Sequence, residues 1–232
     1  MKRFIIIIAA LSLGLSARGQ GARLEAFAGC GYNRTDGFFG EAGAVLDYGL
    51  NASLSFRGGL MAESPLTVSA EVGTTVLIPL PKDHVITLEP FLISGTHVTY
   101  SIQELSLGFM AGWKWNGRVG VRLGAFTKSY IMPYYDSGES PHWLAEPFNV
   151  CYIVEGWFLP ADSKFNMGLR LSNVEDFSAE RFYSPSMTLK AQYALNGKYL
   201  LFLHLREHNC GIFDITSNFY EHRIRGGVIV VW

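Results

Sequence analysis

The chain has 232 residues and a net charge of −1, with 25 glycines, 14% aromatic residues and only 17% charged residues, where roughly a quarter charged is typical of a soluble domain. The near-neutral balance excludes the bulk electrostatic footprint of a nucleic-acid binder. Three widely spaced cysteines, Cys30, Cys151 and Cys210, match neither a zinc pattern nor a disulfide framework.

The N-terminus reads MKRFIIIIAALSLGLSARGQ. Lys2 and Arg3 precede a short apolar run, and Ala17-Arg18-Gly19 places small residues two apart. This is the layout of a secretory signal peptide over residues 1–19, which leaves 20–232 as one domain. Mean hydropathy is +0.17, yet no later stretch approaches the ~18 apolar residues of a spanning helix. The apolar residues are dispersed, and their period is two. In GRVGVRLGAF, Val119, Val121, Leu123 and Ala125 alternate with Arg118, Gly120, Arg122 and Gly124. KFNMGLRLS, SMTLKAQYAL and KYLLFLHLREHN repeat the pattern, with Leu200 and Phe202 as exceptions in the last. Such alternation predicts strands with one apolar and one polar face.

Strands are expected over 23–32, 38–48, 52–61, 66–78, 84–94, 103–115, 118–130, 144–158, 164–173, 186–195, 198–208 and 218–232, about twelve in all. Asn116-Gly117 and Asn196-Gly197 predict type I′ hairpins, whose two central residues need positive φ. Tight connections near Leu50-Asn51, PLPKD, LPADS and the two Asn-Gly pairs alternate with longer ones, including IMPYYDSGESPH, VEDFSAERFYSP and NCGIFDITSN. Short turns at one end and long loops at the other suit an up-and-down barrel that spans a membrane. A soluble barrel or sandwich also alternates, but its water-facing parity should be rich in charge. Here that parity carries Gly, Ser, Thr and Asn with isolated charges. The apolar parity places Trp113, Trp115, Phe158, Tyr193, Tyr199 and Trp232 near the tight turns, an interfacial girdle. The expected fold class is all-β, a transmembrane antiparallel up-and-down β-barrel.

With its leader, period-two strands, alternating loop lengths and apolar last strand, the chain resembles the outer-membrane β-barrel proteins of Gram-negative bacteria. The resemblance spans residues 20–232 and implies an outer-membrane location among lipids and lipopolysaccharide. It also implies that Trp232, with Val230, Val228 and Ile224 at alternate positions before it, is read by the barrel-assembly machinery. No motif points to a subfamily.

The polar parity would then line the lumen. Its first half contributes Glu41, Glu71, Glu89 and Glu104 among others, and its second half Arg118, Arg122, Arg170, Lys190, His204, Arg206, Arg223 and Arg225, with Glu221. One wall is acidic and the other basic, which suits a porin-like channel for small polar solutes, anions among them. The same charges could instead pair and plug the lumen, leaving a scaffold or a binding protein that works through its outer loops. A third reading is a lipid hydrolase using Cys30, His222 and Glu207 on the outer wall. Cys30 and Cys210 would be neighbours across the closure, so a disulfide between them is feasible. No Gly-rich phosphate loop is present, and His204 with His208 beside Arg206 makes a poor cation site, so neither cofactor nor metal is expected.

Overall fold

The computed structural model describes residues 21–34, 37–64, 67–98, 101–132, 142–159, 163–182, 184–209 and 220–232. Residues 1–20, which include the expected leader, and the stretches 133–141 and 210–219, which include Cys210, lie outside them. The strands are β1 (Gly21–Asn33), β2 (Gly37–Asn51), β3 (Leu54–Glu63), β4 (Thr67–Leu80), β5 (His84–His97), β6 (Ile102–Trp115), β7 (Val119–Met132) and β8 (His142–Trp157). They continue with β9 (Phe165–Ser172), the two-residue β10 (Val174–Glu175) and β11 (Ser178–Ala179), then β12 (Ser186–Ala194), β13 (Tyr199–Asn209) and β14 (Tyr220–Val231). All except β10 and β11 form one closed antiparallel barrel of twelve strands. β1 closes on β14 from Arg23–Val231 to Asn33–Glu221, which removes both sheet edges.

β6 shows why these residues make a wall. Leu105, Leu107, Phe109, Trp113 and Trp115 are exposed on the outside, while Ser106 and Met110 between them are buried in the lumen. A surface of leucines and valines around the whole cylinder is stable only against hydrocarbon. Exposed Trp113, Trp115, Phe158, Tyr193, Tyr199 and Trp232 ring the tight-turn end. Tyr32, Phe38 and Tyr220 form a second aromatic group at the other end, with the Tyr32 and Phe38 rings 5.1 Å apart.

The tight turns follow local chemistry. Asn116 and Gly117 have φ of 49° and 63°, the type I′ geometry their sequence predicts. Lys82 and Asp83 do the same between β4 and β5. Asn196-Gly197 differs, because neither residue has positive φ. There the Asn196 side-chain oxygen accepts from the Lys198 and Tyr199 amides at 2.8 and 3.0 Å, closing the turn through its side chain. The β4–β5 ladder skips from Gly73–Phe91 to Val76–Leu88 around Pro90, which has no N–H to donate.

Candidate functional site

VEDFSAERFYSP, expected as an outer loop, instead begins by turning into the barrel. β10 and β11 form a hairpin within the lumen, with Asp176 and Phe177 at its tip. Phe177 has φ of 69°, a conformation that bulky residues rarely hold without strong tertiary support. That support is an apolar cluster of Phe27, Val45, Met61, Phe202 and Ile229 on the inward face, in which Phe177 is buried. Gly59 leaves the space, since a Cβ there would lie 2.9 Å from the Phe177 ring. A second cluster, Ile93, Met110, Phe126, Cys151 and Ile153, grips Val174 and Ala179 on the other side.

Polar contacts fix the same hairpin. Arg57 reaches Asp176 at 2.9 Å while also binding Glu71 at 2.7 Å and Asp47 at 3.2 Å. The Phe177 amide donates to Glu71 at 3.2 Å. Lys128 donates to the Ala179 carbonyl at 2.9 Å, and Arg170 to the Val174 carbonyl at 2.9 Å. Ser186 donates to Glu175 at 2.7 Å. Asn173, at the base, accepts from the Tyr152 amide and donates to the Val150 and Glu180 carbonyls. Burial alone would raise the Asp176 carboxyl, but Arg57, Arg170, Arg225 and Lys190 outweigh it and hold it far below the usual carboxylate range. Glu175 is likewise lowered against burial, by Arg170, Arg206 and Lys190.

The wall charges divide into matched and unmatched groups. Glu41 takes Arg225 at 2.7 Å and Arg223 at 2.5 Å, and Arg223 also binds Glu63 and Glu221. Arg122 is clamped between Glu89 and Glu155, both at 2.9 Å. Lys128 meets Glu104 at 2.8 Å. Arg118 stands apart at the tight-turn end, with its Nε unpartnered among the described residues. On the β9–β12–β13 face the balance changes. Register places Arg170, Thr188, Arg206 and Arg223 in one inward row, and Lys190, His204 and Arg225 in the next. Neither Lys190 nor Arg206 has an ion-pair partner among the described residues. These two rows, with Glu175 and Asp176 of the hairpin, line a small cavity of about 30 Å³ that is partly open to solvent.

On the outer wall, His222 and Glu207 are joined at 2.8 Å and both are well exposed. Cys30 is exposed one step away, opposite Ile224 across the β1–β14 pair. No hydrogen bond or ion pair joins it to His222 among the described residues. The Cys30–Cys210 pairing falls outside the described residues, as Cys210 is not among them.

The sequence matches no protein-family model and no curated protein. The barrel is similar to solved structures. The KdgM porin, in complex with disordered oligogalacturonate, superposes with a TM-score of 0.53 at 10% identity, covering 89% of this chain and 98% of that one. The NanC porin gives 0.52 at 13% identity, over 88% of this chain and 98% of its own. The translocator domain of the autotransporter NalP from Neisseria meningitidis gives 0.52 at 12% identity, over 99% and 95%. The fold is that of an outer-membrane β-barrel. At these identities the likeness is one of architecture, so the lumen itself must supply the function.

Two features of that lumen escape the alternation rule. The hairpin comes from a stretch with loop composition. The signal for it lay in Phe27, Val45, Met61, Phe202 and Ile229, apolar residues on the polar parity at positions that converge in the closed barrel. The exceptions in KYLLFLHLREHN are of this kind: Phe202 belongs to the cluster around Phe177, and Leu200 packs against it.

Proposed function

We propose that the protein is a porin-like channel of the bacterial outer membrane that passes small anionic solutes between the inward hairpin and the basic wall. The observation that carries this reading is the polar cavity along Arg170, Lys190 and Arg206, where cationic side chains outnumber the carboxylates that face them. A narrow path lined by unmatched positive charge in a low-dielectric wall lowers the entry barrier for anions and raises it for cations. The hairpin reaches across the lumen from β5–β8, which hold Val174 and Ala179, to β1–β3, which hold Phe177, so the remaining path along β9, β12 and β13 is off-centre and narrow. The KdgM porin, solved with an acidic oligosaccharide, supports the idea that a barrel of this size can admit such solutes.

Reconstitution into planar bilayers tests the reading. Discrete conductance steps are expected, with a reversal potential shifted toward the anion limit under a salt gradient. Lys190→Gln with Arg206→Gln should reduce that shift. Folded protein that gives no steps would exclude a channel.

A second reading, a closed barrel that displays its loops, is favoured by the density of contacts around Asp176 and Phe177. Replacing residues 174–179 with a short Gly-Ser link separates the two. Conduction that appears only after the replacement would make the native barrel a closed one. The Glu207–His222 pair on the outer wall supports a hydrolase only if lipid cleavage by the purified protein is found and His222→Ala abolishes it.

A further inference from the structure

Thr188, Lys190, His204 and Arg206 bring buried, unpartnered polar atoms and an unpaired ammonium together on one patch of the lumen wall. Thr188 is 4% exposed, and its hydroxyl has no hydrogen-bond partner. The His204 Nε2 and Arg206 Nε atoms are also buried and unpartnered. Lys190 has no ion pair among the described residues. Thr188 faces Arg206 across the β12–β13 ladder, and Lys190 faces His204 one step along the same inward face. Directly opposed residues have Cβ atoms only about 5 Å apart, so the four polar ends gather around one small volume.

Buried polar atoms in native proteins almost always have a partner, and one left without is destabilising. Three orphans beside an unpaired ammonium on one patch of wall therefore call for a shared acceptor. The hairpin carboxylates attract Lys190 and Arg206 through space but make their close contacts elsewhere. Glu175 is engaged by Ser186 at 2.7 Å and lies 3.8 Å from Arg170, while Asp176 turns to Arg57 and Arg225. All four residues line one small cavity, with room for only a small ion.

We propose that Thr188, Lys190, His204 and Arg206 form a binding site for a small oxyanion, a carboxylate or a phosphate, on the basic wall of the lumen. The threonine hydroxyl, the ammonium, the guanidinium and a neutral His204 ring in its Nε2–H tautomer are all donors, and one tetrahedral or planar oxyanion can accept from each. Charge-assisted bonds in a buried setting give it preference over chloride, which lacks separate oxygens to meet separate donors. The site deepens the channel reading by naming the solute class, and it rests on that reading only for the idea that the solute passes through.

The test is equilibrium binding to the full-length protein, folded in detergent micelles at fixed ionic strength, with inorganic phosphate and acetate as probes and chloride as the reference anion. Saturable binding of either oxyanion is expected, along with a rise in Tm that equimolar chloride does not produce. Lys190→Gln with Arg206→Gln should weaken it at least tenfold. Thr188→Val, which keeps shape and fold, should weaken it several-fold, and Lys82→Gln in the exposed β4–β5 turn should leave it unchanged. Heat-modifiable gel mobility verifies that each variant is folded. Equal response to chloride, or a folded double variant that binds like the parent, overturns the site. The experiment needs no conduction. Absent binding with intact conductance sinks the site alone, and binding without conductance sinks the channel alone.

Discussion

At the scale of single residues, Asp176 and Phe177 carry most of what is particular to this barrel. Phe177 is the apolar anchor, and its removal leaves a void among Phe27, Val45 and Met61. Phe177→Ala is expected to weaken hairpin docking by about 3–5 kcal/mol, seen as faster proteolysis within residues 174–179 while the barrel stays folded. Gly59→Val should act in the same direction from the opposite side, because its side chain would occupy the Phe177 site. Asp176 is the polar anchor. Its carboxyl titrates below its unfolded value, so the unfolded chain takes the proton first as pH falls. Its stabilisation is therefore complete above the ordinary aspartate pKa of about 3.9 and is lost progressively below it. Hairpin docking, followed by proteolysis, should hold from about pH 8 to about pH 5 and loosen only in stronger acid. Loosening between those two values would mean that another group holds the hairpin.

At the scale of elements, the strands were legible and the hairpin was not, for one physical reason. A strand that separates hydrocarbon from a lumen must alternate, and the alternation in GRVGVRLGAF or SMTLKAQYAL follows whatever the lumen contains. A segment that folds into that lumen is surrounded by both polar and apolar partners, so its own sequence has no period. Asp176 looks like a loop residue because the contact that defines its role comes from Arg57 of β3, distant in sequence. Turns divide in the same way. Asn116-Gly117 is closed by backbone geometry, which a dipeptide can encode. Asn196-Gly197 sits in a slightly longer connection, where the asparagine side chain does the closing. Replacing residues 174–179 with a Gly-Ser link should widen the path and raise single-channel conductance several-fold, with anion preference retained, because losing Glu175 and Asp176 leaves Arg57, Arg170 and Arg225 less neutralised.

At the scale of the whole molecule, the outer surface selects the environment. Leu107 and Leu123 are 58% exposed near the middles of β6 and β7, where water would be a poor neighbour and acyl chains a good one. Leu107→Arg should destabilise the barrel by about 2–4 kcal/mol in lipid vesicles, the cost of a cation near the bilayer midplane. An unchanged urea midpoint in vesicles would remove the membrane assignment. Acidic and basic halves were readable from residue types on the inward parity, but their pairing was not. Glu41 neutralises Arg223 and Arg225 only because closure sets β14 beside β1 and β2 beyond it. Of the lumen cations without a close carboxylate, Lys190 and Arg206 are the ones that line the cavity, and they are the part of the charge pattern placed to act on a solute there. The most direct measurement is therefore the reversal potential of single channels under a potassium chloride gradient, for the native protein and for Lys190→Gln with Arg206→Gln. Discrete steps with anion preference in the first and a reduced preference in the second are expected. A folded barrel that never conducts, or one that prefers cations, would contradict the account.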